Sequence, residues 1–195
     1  MIEFKKNVNK ILPYDRRQYI EFLGSDFESP IVWYGVSFQL GSEEEKNGLT
    51  EFVETYESLF ENIVLKLDNG SFWIVNHDDK DLKWFPNQED TLTSLRNLFI
   101  QKNVPNTFKG ALILATDDLL ELTKDIISYP CGLFNEDALL YKNLDISHGE
   151  INFIIKITGH LTIDLLSTDK ELLRKVVNEN SSSYFKIKEY KGTSL

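Results

Sequence analysis

The sequence predicts an α+β fold: a mostly antiparallel sheet of about six to eight strands with about four to five helices packed mainly on one face. Three observations predict it. Period-two apolar segments come in adjacent pairs that read as hairpins. Segments with apolar residues at three- and four-residue spacing fall singly between them. Of the 195 residues, 42% are hydrophobic and 27% charged, enough apolar material for one ordinary core and too much for a disordered chain. With no repeat, low-complexity tract or long linker, residues 1–195 read as one domain.

Taken in order, Pro13 opens a helix that runs to Leu23, with Gly24 as its stop. Residues 31–40 alternate as a strand. Ser42 and Glu45 form a capping box for a helix to about Glu61, whose inner face is Leu49, Phe52, Val53, Tyr56, Leu59 and Phe60. Residues 63–67 and 72–75 read as two strands joined at Asp68-Asn69-Gly70, since Asn-Gly supplies the positive φ of a tight turn. A short strand at 82–85 follows and Pro86 stops it. Asn87 caps a helix to about Lys102. Residues 111–115 read as a strand buried on both faces. Thr116 caps a helix to about Ser128, and 129–132 form a turn. Residues 133–144 fit strand or helix. The clearest signal is the hairpin 151–165, turning at Gly159. A second capping box, Thr168 with Glu171, opens a helix, and residues 184–190 form a final edge strand. Lys186 and Lys188 on one face of that strand discourage edge-to-edge pairing.

Composition narrows the function. The net charge is −10, and the acid is concentrated early: residues 1–100 carry 10 Lys and Arg against 18 Asp and Glu, residues 101–195 carry 11 against 13. Nucleic acid is repelled by most of such a surface, because its affinity comes from neutralised phosphates. A basic partner is attracted. No apolar run approaches the ~18 residues of a membrane span, and one cysteine permits no internal disulfide, so a cytoplasmic protein is expected.

Chemistry-bearing patterns are sparse. Residues 76–81 place one histidine beside Asp78, Asp79 and Asp81, but the spacing matches no calcium loop, and no metal or cofactor is expected. Trp73, Trp84 and Phe85 flank that loop; such aromatics fit either a buried sheet face or the anchors of an interface. Glu51, Glu54, Glu57 and Glu61 fall on one side of the helix over 43–61, which holds seven glutamates and one lysine. This is either a solvated face or a surface for a basic partner. His160 and Asp164 share a strand face, as a general base and its orienting group do, but no nucleophile is evident beside them. Phosphate-loop, dinucleotide, zinc-protease and nucleophile-elbow motifs are absent.

The segment Leu12-Pro13…Tyr19-Ile20-x-Phe22-Leu23-Gly24 resembles the first helix of a large superfamily of bacterial immunity proteins related to a yeast cell-wall regulator. The size, acidity and motif-poor make-up are similar in kind to such proteins. The resemblance implies a protein that neutralises a toxin by binding it, and it carries no site residues with it.

The expectation is a non-enzymatic acidic binding protein, most simply an immunity-type inhibitor that occludes a basic bacterial toxin. Its contacts would be Glu51, Glu54, Glu57, Glu61, Asp78, Asp79 and Asp81, anchored by Trp73, Trp84 or Phe85. Two alternatives stand beside it. One is a small-ligand or hydrolytic domain using Asp79, Asp81, His160 and Asp164. The other is a structural domain that oligomerises through its last strand.

Overall fold

A computed structural model of the chain describes residues 2–19, 31–40, 49–78, 81–85, 92–132 and 143–195, without the side chains of 49–52, 131 and 132. Eight strands among them form one sheet: β1 Ile2–Lys5, β2 Tyr34–Leu40, β3 Trp73–His77, β4 Ala111–Leu114, β5 Leu144–His148, β6 Phe153–Ile157, β7 Thr162–Ser167 and β8 Phe185–Glu189. Their order is β1-β4-β3-β5-β6-β7-β2-β8, and every neighbouring pair is antiparallel. Helices among the described residues include α1 Leu49–Leu67, α2 Thr93–Gln101, α3 Thr116–Glu121, α4 Thr123–Gly132 and α5 Lys170–Asn180. The architecture is the expected α+β fold with helices on the sheet.

Strand alternation divides the sheet into two unlike faces. Leu112, Leu114, Trp73, Val75, Ile146, Ile155, Leu165, Val36 and Phe38 point to the helical face and join the main core. There they meet Tyr56, Phe60 and Ile63 of α1, Leu95 of α2, Ile126 of α4 and Val176 of α5. The other face is covered by the chain over residues 8–19, which forms two smaller apolar clusters with Ile74 and Ile113 and with Ile154 and Leu166. Between these runs a polar row. Asn76, Asp145, Lys156, Asp164, Ser37 and Lys188 are successive register partners across six strands. All but Lys188 are buried.

Several elements depart from the sequence expectation. Residues 63–67 are the last turns of α1, because Ile63, Val64 and Leu67 continue the helical apolar face begun by Tyr56, Leu59 and Phe60. The expected hairpin turn therefore joins a helix to β3: Asp68 Oδ1 accepts from Gly70 N–H at 3.0 Å, and Gly70 adopts φ +81°. Residues 82–85 form no strand. The expected helix over 116–128 is two helices, α3 and α4, and α4 continues through the expected turn with Pro130 in its last turn. The cap of α5 is Asp169, whose Oδ1 accepts from Leu172 N–H at 2.9 Å, in place of Thr168. β1 and β5 were not legible in the periodicity, and His148 ends β5. The Ser42–Glu45 capping box, Asn87 and most of 133–144 lie outside the described residues, as do residues 20–23 of the first predicted helix, of which residues 16–19 are helical.

Candidate functional site

The acidic stripe is carried by α1. This helix buries Tyr56, Leu59, Phe60, Ile63, Val64 and Leu67, and so turns its polar positions outward. At 3.6 residues per turn, Glu54, Glu61 and Leu65 fall within about 40° of one another on the outer side. Leu65 is 57% exposed. Glu57 lies toward α4, 3.7 Å from Lys124 Nζ, while Lys66 reaches Glu179 of α5 at 2.9 Å. Glu54 and Glu61 have no ion-pair partner among the described residues. Glu51 sits in the first turn of α1, where side chains are not described.

Beside this stripe lies a groove of about 500 Å³ between α1 and the connection from α5 to β8. Glu54, Ser58 and Asn62 form one wall, Glu179 and Tyr184 the other, with Leu59 and Phe185 in its floor. Tyr184 is 71% exposed. The sequence reading placed it on a strand. It stands one residue before β8, after a run of three serines that offers its ring no apolar neighbour, and that run is the signal that could have marked it.

The remaining expected contacts go elsewhere. Trp73 is fully buried, its indole N–H donating to Thr116 Oγ1 at 3.2 Å. Trp84 is 1% exposed, its N–H donating to Gly110 O at 2.8 Å. Both are core residues and no partner reaches them. Phe85 is half-buried, edge-on to Phe99 at 5.0 Å with the Arg96 guanidinium 4.5 Å over its ring. Strand alternation also splits the acidic loop from the helix. His77 points to the helical face, where its Nε2 lies 2.8 Å from Tyr129 Oη, and that hydroxyl donates to Trp84 O. Asp78 points to the opposite face, accepts from Asn143 Nδ2 at 2.7 Å and lies 3.6 Å from Lys156 Nζ. It is tied inward and does not join the stripe on α1. Asp81 is exposed, and Asp79 lies outside the described residues. Among the described residues no group of three His, Cys, Asp or Glu side chains is placed to hold a metal ion.

On the opposite face, His160 and Asp164 do line one cavity, of about 360 Å³, over β2, β7 and β8. Asp164 is 5% exposed; its Oδ2 accepts from Tyr190 Oη at 2.6 Å and its Oδ1 from Thr162 Oγ1 at 3.1 Å. Burial, then the Asp164 charge and this hydrogen bond, push the Tyr190 hydroxyl far above its ordinary value, so it stays a donor. Asp81 does not line this cavity, so the four groups of the hydrolytic reading do not converge.

Comparison with protein-family models, curated proteins and solved structures finds no match. Function therefore rests on the geometry of the chain itself. No helix among the described residues is long and apolar enough to cross a membrane.

Proposed function

We propose that this chain is a non-enzymatic binding protein that receives a basic protein partner on the outer side of α1 and in the groove beside it. The observation that carries the reading is the pair Glu54 and Glu61: two carboxylates on the outer side of α1 without an ion-pair partner among the described residues, next to a concave surface bearing an exposed tyrosine. Carboxylates around an aromatic anchor attract and orient a lysine- or arginine-rich surface. Occlusion of a basic toxin in the cytoplasm, in the manner of an immunity protein, is the physiological form that we propose for this binding. Net charge −10 supports it, since it accelerates encounter with a cation.

The test is binding of a lysine- and arginine-rich peptide to the intact protein, followed by stopped-flow fluorescence and by NMR of the amides of α1. The association rate should fall steeply as salt shortens the screening length to ~8 Å at physiological ionic strength. The double charge reversal Glu54→Lys with Glu61→Lys should slow association by about tenfold or more. An unchanged rate in that variant, or peptide-induced shifts confined to other elements, overturns the reading.

A further inference from the structure

We propose that the cavity over β2, β7 and β8 binds a small zwitterion, its ammonium group on Asp164 and its anionic group on Lys188. The starting point is a carboxylate with its charge left uncompensated. Asp164 is 5% exposed and makes no ion pair among the described residues. Two neutral hydroxyls, of Tyr190 and Thr162, occupy one lone pair on each of its oxygens. Those bonds reduce the cost of burial, but a buried charge is fully offset only by an opposite charge.

The cation opposite Asp164 on the neighbouring strand is committed elsewhere. Lys156 is the register partner of Asp164 on β6, yet its Nζ lies 2.8 Å from Asp145 and 3.6 Å from Asp78. The open side of Asp164 is the cavity itself. A cation that enters there meets a fixed carboxylate flanked by two hydroxyl oxygens, a set suited to an ammonium group with its three donors.

The second half of the ligand follows from the same row. Across β2, through Ser37, the next row member is Lys188 of β8, which is exposed and also lines the cavity. Two strand spacings separate the backbones of Asp164 and Lys188 by about 10 Å. The side chains span part of that, which leaves room for a short ligand with opposite charges at its ends. Glu189, also on the rim, accepts from Leu195 N–H at 3.1 Å. It disfavours a ligand with two anionic groups. A volume of about 360 Å³ suits an amino-acid-sized molecule with its hydration. The site lies on the sheet face opposite α1, so it stands or falls independently of the basic-partner reading.

The experiment titrates the intact protein with γ-aminobutyrate, 5-aminovalerate and 6-aminohexanoate, beside pentylamine and pentanoate, by calorimetry and amide NMR. At least one amino acid should bind with millimolar or tighter affinity and shift the amides of Ser37, Thr162, Asp164 and Lys188. Pentylamine should bind about tenfold more weakly, and pentanoate should not bind, since each lacks one charge pair. Asp164→Asn keeps an oxygen for one of the two hydroxyls and turns an NH2 donor toward the other, which can rotate to accept, so the variant should fold and lose the binding. Lys188→Ala, at an exposed position, should weaken it about tenfold. Three results each overturn the assignment: no amino acid of the series shifts these amides, pentylamine binds as well as the amino acids, or folded Asp164→Asn binds as tightly as the parent.

Discussion

Lys156 is the cation that faces Asp145 and Asp78 inside the polar row, with its side chain 5% exposed. Its ammonium also lies 5.5 Å over the ring of Tyr19, whose hydroxyl donates to Asp145 Oδ1 at 3.3 Å. Lys156→Met leaves a buried carboxylate without its counter-charge, and urea denaturation should show a loss of about 3–5 kcal/mol. The double variant Asp145→Leu with Lys156→Met should be milder than the two single losses added together, because it removes the stranded charge as well. A second residue sets a pH dependence. His148 is 1% exposed and packs edge-on to Trp73, and its Nδ1 accepts from the N–H groups of Glu150 and Ile151 at 3.1 and 3.2 Å. Burial lowers its pKa below the usual 6.5, against a hydrogen bond with the Leu67 backbone and the nearby Glu150 and Asp68 charges. The folded state therefore binds this proton less readily than the unfolded state does. Stability from His148 is present above pH 6.5 and is lost as pH falls below it. The melting temperature should drop on acidification through that range, and His148→Asn should flatten that part of the profile. If the variant keeps the full slope, another group is responsible.

At the scale of elements, α2 depends on a cap supplied from a different helix. Asp125 of α4 accepts from Leu95 N–H at 2.6 Å, in the first turn of α2, where no side chain at its own N-cap does so. Asp125→Ala should cost about 1–2 kcal/mol by thermal denaturation, and Asp125→Asn clearly less. This link was invisible in the chain, because the two partners are thirty positions apart and no periodicity records a bond between helices. What periodicity did record held well: α5, the hairpin of β6 and β7, and the buried run of β4 were all legible. The failures have physical reasons. Residues 63–67 carry β-branched side chains and precede Asn-Gly, yet they extend an apolar helical face, and tertiary packing outweighs local preference. β5 does alternate, Leu144 and Ile146 against Asp145 and Ser147, but the run is only five residues long and is closed by His148 and Gly149, so it did not stand out as a strand. For the candidate sites, 100° spacing marked Glu54 and Glu61 on the outer side of α1; His160 and Asp164 do line one cavity, but His160 stands in the turn before β7 and not on the strand face that spacing predicted. Tyr190 and Lys188 could be joined to them only by the long-range pairing of β2 with β8. β8 also carries a prediction of its own. It is an edge strand whose Lys186 and Lys188 lie on one face, a charge guard against a second copy. Replacing both with Thr should produce concentration-dependent association by light scattering, while the parent does not associate through this edge.

For the molecule as a whole, the two faces of one sheet have been given different work. The helical face closes an apolar core and displays acid on its outer helix. The other face buries an ionic row under the segment 8–19 and opens a cavity at one end. Charge reversal on α1 and neutralisation of Asp164 should consequently act independently: each variant should lose its own ligand and keep the other, a result that a double-variant titration reads directly.

The position of β2 has a further consequence. It is laid between β7 and β8, against residues more than a hundred positions later in the chain. During synthesis this strand emerges early and has nowhere to pair until residues 162–189 leave the ribosome. The central meander β3 to β7 can assemble while it waits, with shorter loops to close. Val36 and Phe38 lack their β7 and β8 neighbours throughout that interval, so the nascent chain offers chaperones an incompletely covered apolar strand whose lifetime is set by translation speed.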